Sequence, residues 1–185
     1  MRRSRPDIAL RIHVDVPQDL INQVAAGLVD AAVMYAPPRR PGLRVDLLLD
    51  EKLVLVTTDP EANRASAQGF VSVDWGPEFA RDFGSSFPDA EGSGLSVNLG
   101  PLGLDYILAA GGSGYFRMHA VEPYLASGRL HLVPDMPQFS YPIYAVSSSD
   151  ADATLLGPAL AGLREVTTSR SGYSVHRAGE ASCSE

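Results

Sequence analysis

The chain has 185 residues, and 15 Lys+Arg against 22 Asp+Glu give a net charge of −7. That length fits one domain or two small lobes, with a core that needs no staples. The acidic balance excludes a phosphate clamp of clustered Lys/Arg, so these residues are not expected to grip nucleic acid by themselves. Hydrophobic residues make up 45% and charged residues 20%, which reads as globular and not disordered. One cysteine, Cys183, excludes an intramolecular disulfide framework and a Cys-based zinc cluster. No apolar run reaches membrane-spanning length. Met1-Arg2-Arg3-Ser4-Arg5-Pro6 is basic but has no apolar stretch before Ile8. No secretory signal is read there, and the expected compartment is the cytoplasm.

Residues 8–14 alternate, with Ile8, Leu10, Ile12 and Val14 set between Ala9, Arg11 and His13, and this predicts a strand. The period then changes. Leu20, Ile21, Val24, Ala25 and Leu28 form one helical stripe, Pro17 suits the first helical position, and Gly27 suits the end. A short apolar strand over 29–35 follows, then a Pro-rich loop. Two further strands, 43–49 and 53–57, flank Asp50-Glu51. Strand, helix and strand in this order imply a βαβ unit and a parallel sheet.

Residues 58–69 read as a connection into a second block. Strands are expected at 70–73, 95–99, 114–118, 130–133 and 142–146. Helices are expected at 78–83, after Gly100-Pro101, at 120–127 and at 154–166. Residues 88–94 read as a turn-rich break, and the chain from Thr167 as a frayed tail. If the middle block is inserted between the first and the last, the layout is two α/β lobes joined by two crossovers, with a cleft between them.

Catalytic signatures are thin. Gly111-Gly112-Ser113-Gly114 spells no nucleophile elbow, and no phosphate loop or dinucleotide fingerprint occurs. Those glycines suit a helix end instead. His13, His119, His131 and His176 show no metal-ligand spacing, so no metal, cofactor or catalytic residue is expected. Trp75, the only tryptophan, lies in a loop after a strand, where either a ligand-lining or a packing role fits. Val16-Pro17 and Gly100-Pro101 each open a helix just past a strand, a place suited to a carboxylate. Asp15 either caps the first helix or lines a cleft.

Several stretches resemble the effector-binding domain of LysR-type transcriptional regulators. They are residues 6–12, 28–33 and 53–56, the helix-Gly-x-Gly-strand stretch 104–116, the helix-Gly-x-Leu turn 124–130, and the return crossover 139–144. The similarity covers about residues 6–166. It implies a two-lobed α/β fold of the periplasmic-binding-protein type (type 2). Lobe one would be 1–57 with 142–168, lobe two 58–141, and 169–185 a flexible tail. Against the family pattern, the first strand and first helix of lobe one are not found ahead of the strand at residue 8.

The resemblance further implies a sensor of a small molecule bound in the inter-lobe cleft, and the helix N-termini expected there point to an anionic metabolite. It would act within a homo-oligomer, with DNA contacted only through a winged helix-turn-helix absent from this chain and with no membrane partner. By position, the ligand-binding residues would be Asp15, Val16, Pro17, Tyr35, Trp75, Gly76, Gly100, Pro101 and Tyr141. The competing readings are a stand-alone solute-binding protein of the same fold and a non-functional truncated remnant. An enzyme on this fold is disfavoured by the missing catalytic constellation.

Overall fold

A computed structural model of the protein describes residues 9–61, 69–88 and 94–170, with side chains as far as 165. The chain divides into two units. Unit 1 comprises residues up to Leu49 and from Tyr144 onward, and unit 2 is the single stretch Asp50–Ile143.

Unit 1 holds α1 (Pro17–Ala25), β1 (Ala31–Tyr35), the first part of β2 (Leu43–Thr57), the last part of β7 (Phe139–Ser148) and α5 (Ala153–Arg170). Pro17 opens α1 where its missing N–H is not needed, and Gly27 turns the chain out with φ +69°. Alternation along β1 then divides the core. Ala32 and Met34 pack with Ile21, Val24 and Val146 under α1, while Ala31 packs with Ala145, Leu156 and Leu160 under α5. Asp152 starts α5. Its carboxylate accepts from the Thr154 amide and hydroxyl, which hold it below its ordinary acidity range.

Unit 2 holds the rest of β2 and β7 together with β3 (Val71–Val73), α2 (Pro77–Ser86), β4 (Leu95–Val97), α3 (Gly100–Ala110), β5 (Ser113–Arg117), α4 (Met118–Ala126) and β6 (His131–Leu132). The larger sheet runs β1-β7-β2-β5, with β6 also on β2, and β3-β4 form a second sheet. β2 pairs antiparallel with β5, Leu53 opposite Arg117 through Thr57 opposite Ser113. One face carries Val54, Val56 and Phe116 onto Leu104 and Ile107 of α3 and Val121 of α4. The other carries Leu53, Leu55 and Tyr115 into an aromatic cluster that gathers five of the six phenylalanines. Phe79, Phe83 and Phe87, four residues apart, form the stripe by which α2 lies on Tyr115 and Phe139.

Three expectations are corrected. The strand expected over 8–14 is not formed: residues 9–14 belong to no strand, and Ile8 lies outside the described residues. Alternation sets which sides a strand would show, but a strand exists only against a neighbour. The two strands flanking Asp50-Glu51 are one continuous β2, because Glu51 finds a partner in half-buried His119 and need not turn out to solvent. A purely parallel sheet is not formed either. β2 pairs antiparallel with both β5 and β6, while β3 and β4 run parallel. Residues 62–68 of the connection expected at 58–69, residues 89–93 of the turn-rich break expected at 88–94, and the tail from 171 with His176 and Cys183 lie outside the described residues.

Candidate functional site

In unit 2 the sequence-selected residues Trp75, Gly76, Gly100 and Tyr141 come together. β3 is followed by Asp74, whose amide donates to Val97 C=O at 2.8 Å and so ties the start of the loop to the end of β4. Asp74 Oδ1 accepts from the Gly76 amide at 2.9 Å, a tight turn completed by Gly76 at φ +96°. This aims the indole inward. Its Nε1–H donates to Tyr115 C=O at 2.9 Å, and Tyr141 meets the ring edge-on at 5.2 Å.

Gly100, buried in the first turn of α3, lies flat against the far edge of the indole. A Cβ there would overlap Trp75 Cη2. Pro101 follows it, exposed, and among the described residues no side chain caps the N-terminus of α3. Trp75 is half-buried, so it both packs and shows a face. Of the two roles weighed for it from sequence, these contacts show the packing one.

In unit 1 the selected residues sit at the start of α1 and the end of β1. Val16 is the N-cap of α1, and its carbonyl accepts from the Asp19 and Leu20 amides. Asp15 accepts from the Val16 amide through one oxygen and from Gln23 Nε2 through the other, both at 2.9 Å. This helix end therefore already carries a carboxylate, whereas that of α3 does not. Tyr35 is half-buried at the end of β1.

Sequence reasoning missed three features of unit 2. Glu51 is only 2% exposed. His119 Nδ1 lies 2.9 and 3.1 Å from its two oxygens. A carboxylate only accepts, so the imidazole carries its proton on Nδ1. Neither residue has a local signal, since 68 positions separate them. Second, Ser113 Oγ is buried with no hydrogen-bond partner among the described residues.

Third, Tyr115 Oη donates to Pro137 C=O at 3.0 Å, and burial pushes the phenol up to about 12 from 10.0. The unfolded chain then loses this proton first. The stability Tyr115 contributes is complete below pH 10 and drains away as pH rises toward 12. Urea melts across that window are expected to show a falling midpoint, with a shallower fall in Tyr115→Phe. Equal slopes would remove Tyr115 as the cause.

A chain with this two-unit α/β fold matches the family model for the LysR substrate binding domain over residues 1–167, and it belongs to that family. It is the effector-binding part of a LysR-type regulator. The regulatory domain of HypT from Salmonella typhimurium superposes with a TM-score of 0.67 at 13% identity, covering 84% of this chain and 80% of that one. The OxyR2 regulatory domain from Vibrio vulnificus gives 0.65 at 12% identity, with 90% and 85% covered. OxyR from Corynebacterium glutamicum gives 0.64 at 19% identity, with 89% of this chain covered but 57% of that longer one. At these identities the likeness is one of fold. No curated protein sequence matches the chain. Among the described residues no helix is long and apolar enough to cross a membrane.

Proposed function

We propose that this domain binds a small organic anion, and that Trp75, Gly76, Gly100, Pro101 and Tyr141 form the contribution of unit 2 to the binding surface. One observation carries the reading: the first turn of α3, free of any side-chain cap, opens beside the half-buried indole of Trp75. Free first-turn amides and the helix dipole favour a carboxylate, and the indole face supplies apolar contact for the rest of the molecule. In unit 1 the same reading gives Asp15, Val16, Pro17 and Tyr35 a ligand-facing role, with Asp15 accepting hydrogen bonds.

The reading is one of binding, and among the described residues the buried Ser113 Oγ has no hydrogen-bond partner. We take the domain to work in the cytoplasm within a homo-oligomer, with DNA contacted by a part of the regulator other than these acidic residues.

Trp75 is the only tryptophan, so its emission reports this site alone. Titration with a panel of small carboxylic acids is expected to give a saturable change for at least one member. Gly100→Val, which pushes the indole aside, is expected to weaken that response at least about tenfold, or roughly 1.4 kcal/mol. A panel without any saturable response, or a response untouched by Gly100→Val, would count against the site.

A further inference from the structure

We propose that α2 is a lid, which lifts from unit 2 as one piece at Gly76 while the rest of the unit stays folded. The lid holds or fails independently of the effector reading, because its opening requires no ligand.

α2 meets the rest of unit 2 through two phenylalanines. Of its ten residues only Phe79 and Phe83 are not exposed. Its side-chain hydrogen bonds and its ion pair, among the described residues, stay within the helix. Ser85 Oγ donates to Arg81 C=O, Ser86 Oγ donates to Asp82 C=O, and Arg81 pairs with Asp82 beside it. Toward the body of the unit, Phe79 meets Tyr115 and Phe139 edge-on at 5.7 and 5.2 Å. Phe83 meets Tyr115 edge-on at 5.9 Å and stacks on Phe70 at the same distance. Such ring contacts are weak singly, and one movement of the helix gives up all of them.

α2 is also a poor helix by itself. Ten residues fall short of the roughly 12–15 at which an isolated helix begins to hold in water. Gly84, Ser85 and Ser86 close it with weak helix formers, and both serines bond back onto the turn before. The helix is therefore kept by its seat on the rings.

The floor does not need the lid. Tyr115 stands opposite Leu55 in the sheet, its Oη donates to Pro137 C=O, and its carbonyl accepts from Trp75 Nε1. Phe139 is the first residue of β7. The near side of the hinge is held as well, Trp75 by that bond and by Gly100, and the Gly76 amide by Asp74. Gly76 itself holds φ +96°, and a Cβ there would meet nothing within 4 Å. The chain can turn at this glycine without displacing a neighbour. A tied floor and a tied anchor, joined to a helix held by two rings, give two states to α2 and one to the remainder. Lifting α2 bares Tyr115 and Phe139 and turns a closed aromatic cluster into an apolar surface.

Native-state hydrogen exchange of the 185-residue chain, followed through a urea series below the unfolding transition, tests the lid. Amides of α2 are expected to exchange at least about tenfold faster than those of β5 and of residues 53–57 in β2, with a urea dependence that is measurable but shallower. Two variants separate lid from body. Phe83→Ala is expected to speed α2 exchange by about tenfold. Val56→Ala, at a buried position on the opposite face of the sheet, is expected to speed β2 and β5 and to leave α2 at its parent rate. If Val56→Ala speeds α2 as much as β2 and β5, the helix opens only with the whole unit. If α2 exchange has no urea dependence, the helix frays in place. If Phe83→Ala leaves α2 exchange unchanged, the rings are not what holds it. Each of these results would overturn the proposal.

Discussion

Removing the His119 side chain is expected to destabilise unit 2 by about 3 kcal/mol, the upper end of the range for leaving a buried acceptor without its donor. The reason is what remains. Glu51 is 3% exposed at its side chain, and without the imidazole the donor left to its carboxylate among the described residues is the amide of Lys52 at 3.3 Å. A carboxylate left in that setting must either stay charged without adequate partners or take up a proton, and both disfavour the fold. Glu51→Gln keeps the shape and one acceptor for the Nδ1 proton, so a loss nearer 1 kcal/mol is expected there. Urea melts of the two single variants and the double variant close a thermodynamic cycle. A His119→Ala protein within about 0.5 kcal/mol of the parent would mean that the pair contributes nothing.

Gly112→Ala is the second change with a large expected effect, about 3 kcal/mol or more from backbone strain and overlap together. Gly112 holds φ +132°, and a Cβ there would overlap the Gly69 carbonyl oxygen. Neither side can yield cheaply. The Ser113 amide donates to that same carbonyl at 3.0 Å, and Thr58 Oγ1 accepts from the Gly112 amide at 2.9 Å. A methyl group therefore breaks the seam that joins the start of β5 to Gly69 and Thr58. Gly128→Ala is the fitting control, because it shares a positive φ of +69° but has open space around it. If the two variants melt alike, backbone conformation alone sets the loss and the close approach is irrelevant.

Much of the fold was legible because local chemistry spells it. Pro17 and Gly27 bracket α1, Gly100-Pro101 opens α3, and Gly111 ends it, each through a backbone preference that needs no partner. Failures fall where a residue depends on something distant. The alternation of 8–14 is that of a strand, but pairing is a property of two segments. Asp50-Glu51 reads as a polar break until His119 arrives from far along the chain to satisfy it. At the site, the loop position of Trp75 was readable from the strand before it. Its packing on Gly100 and its bond to Tyr115 C=O were not, because they require α3 and β5 to be in place. One missed signal was available: Phe79, Phe83 and Phe87 recur at helical spacing and carry α2 past Phe83 to Ser86.

Unit 2 is one unbroken stretch of chain, and near its two ends Ser140 Oγ donates to Asp50 Oδ1 at 3.0 Å. Entry and exit are thus neighbours on adjoining strands, as in a cassette spliced into a host at a single seam. Such a seam lets the inserted part diverge as a block. Loops and pocket walls inside it can be exchanged in a single genetic event, while the host sheet, built from residues before and after the splice, keeps its own pairing. A sensor organised this way can acquire a new ligand preference by recombination across two short strand crossings, without point changes spread along the whole chain.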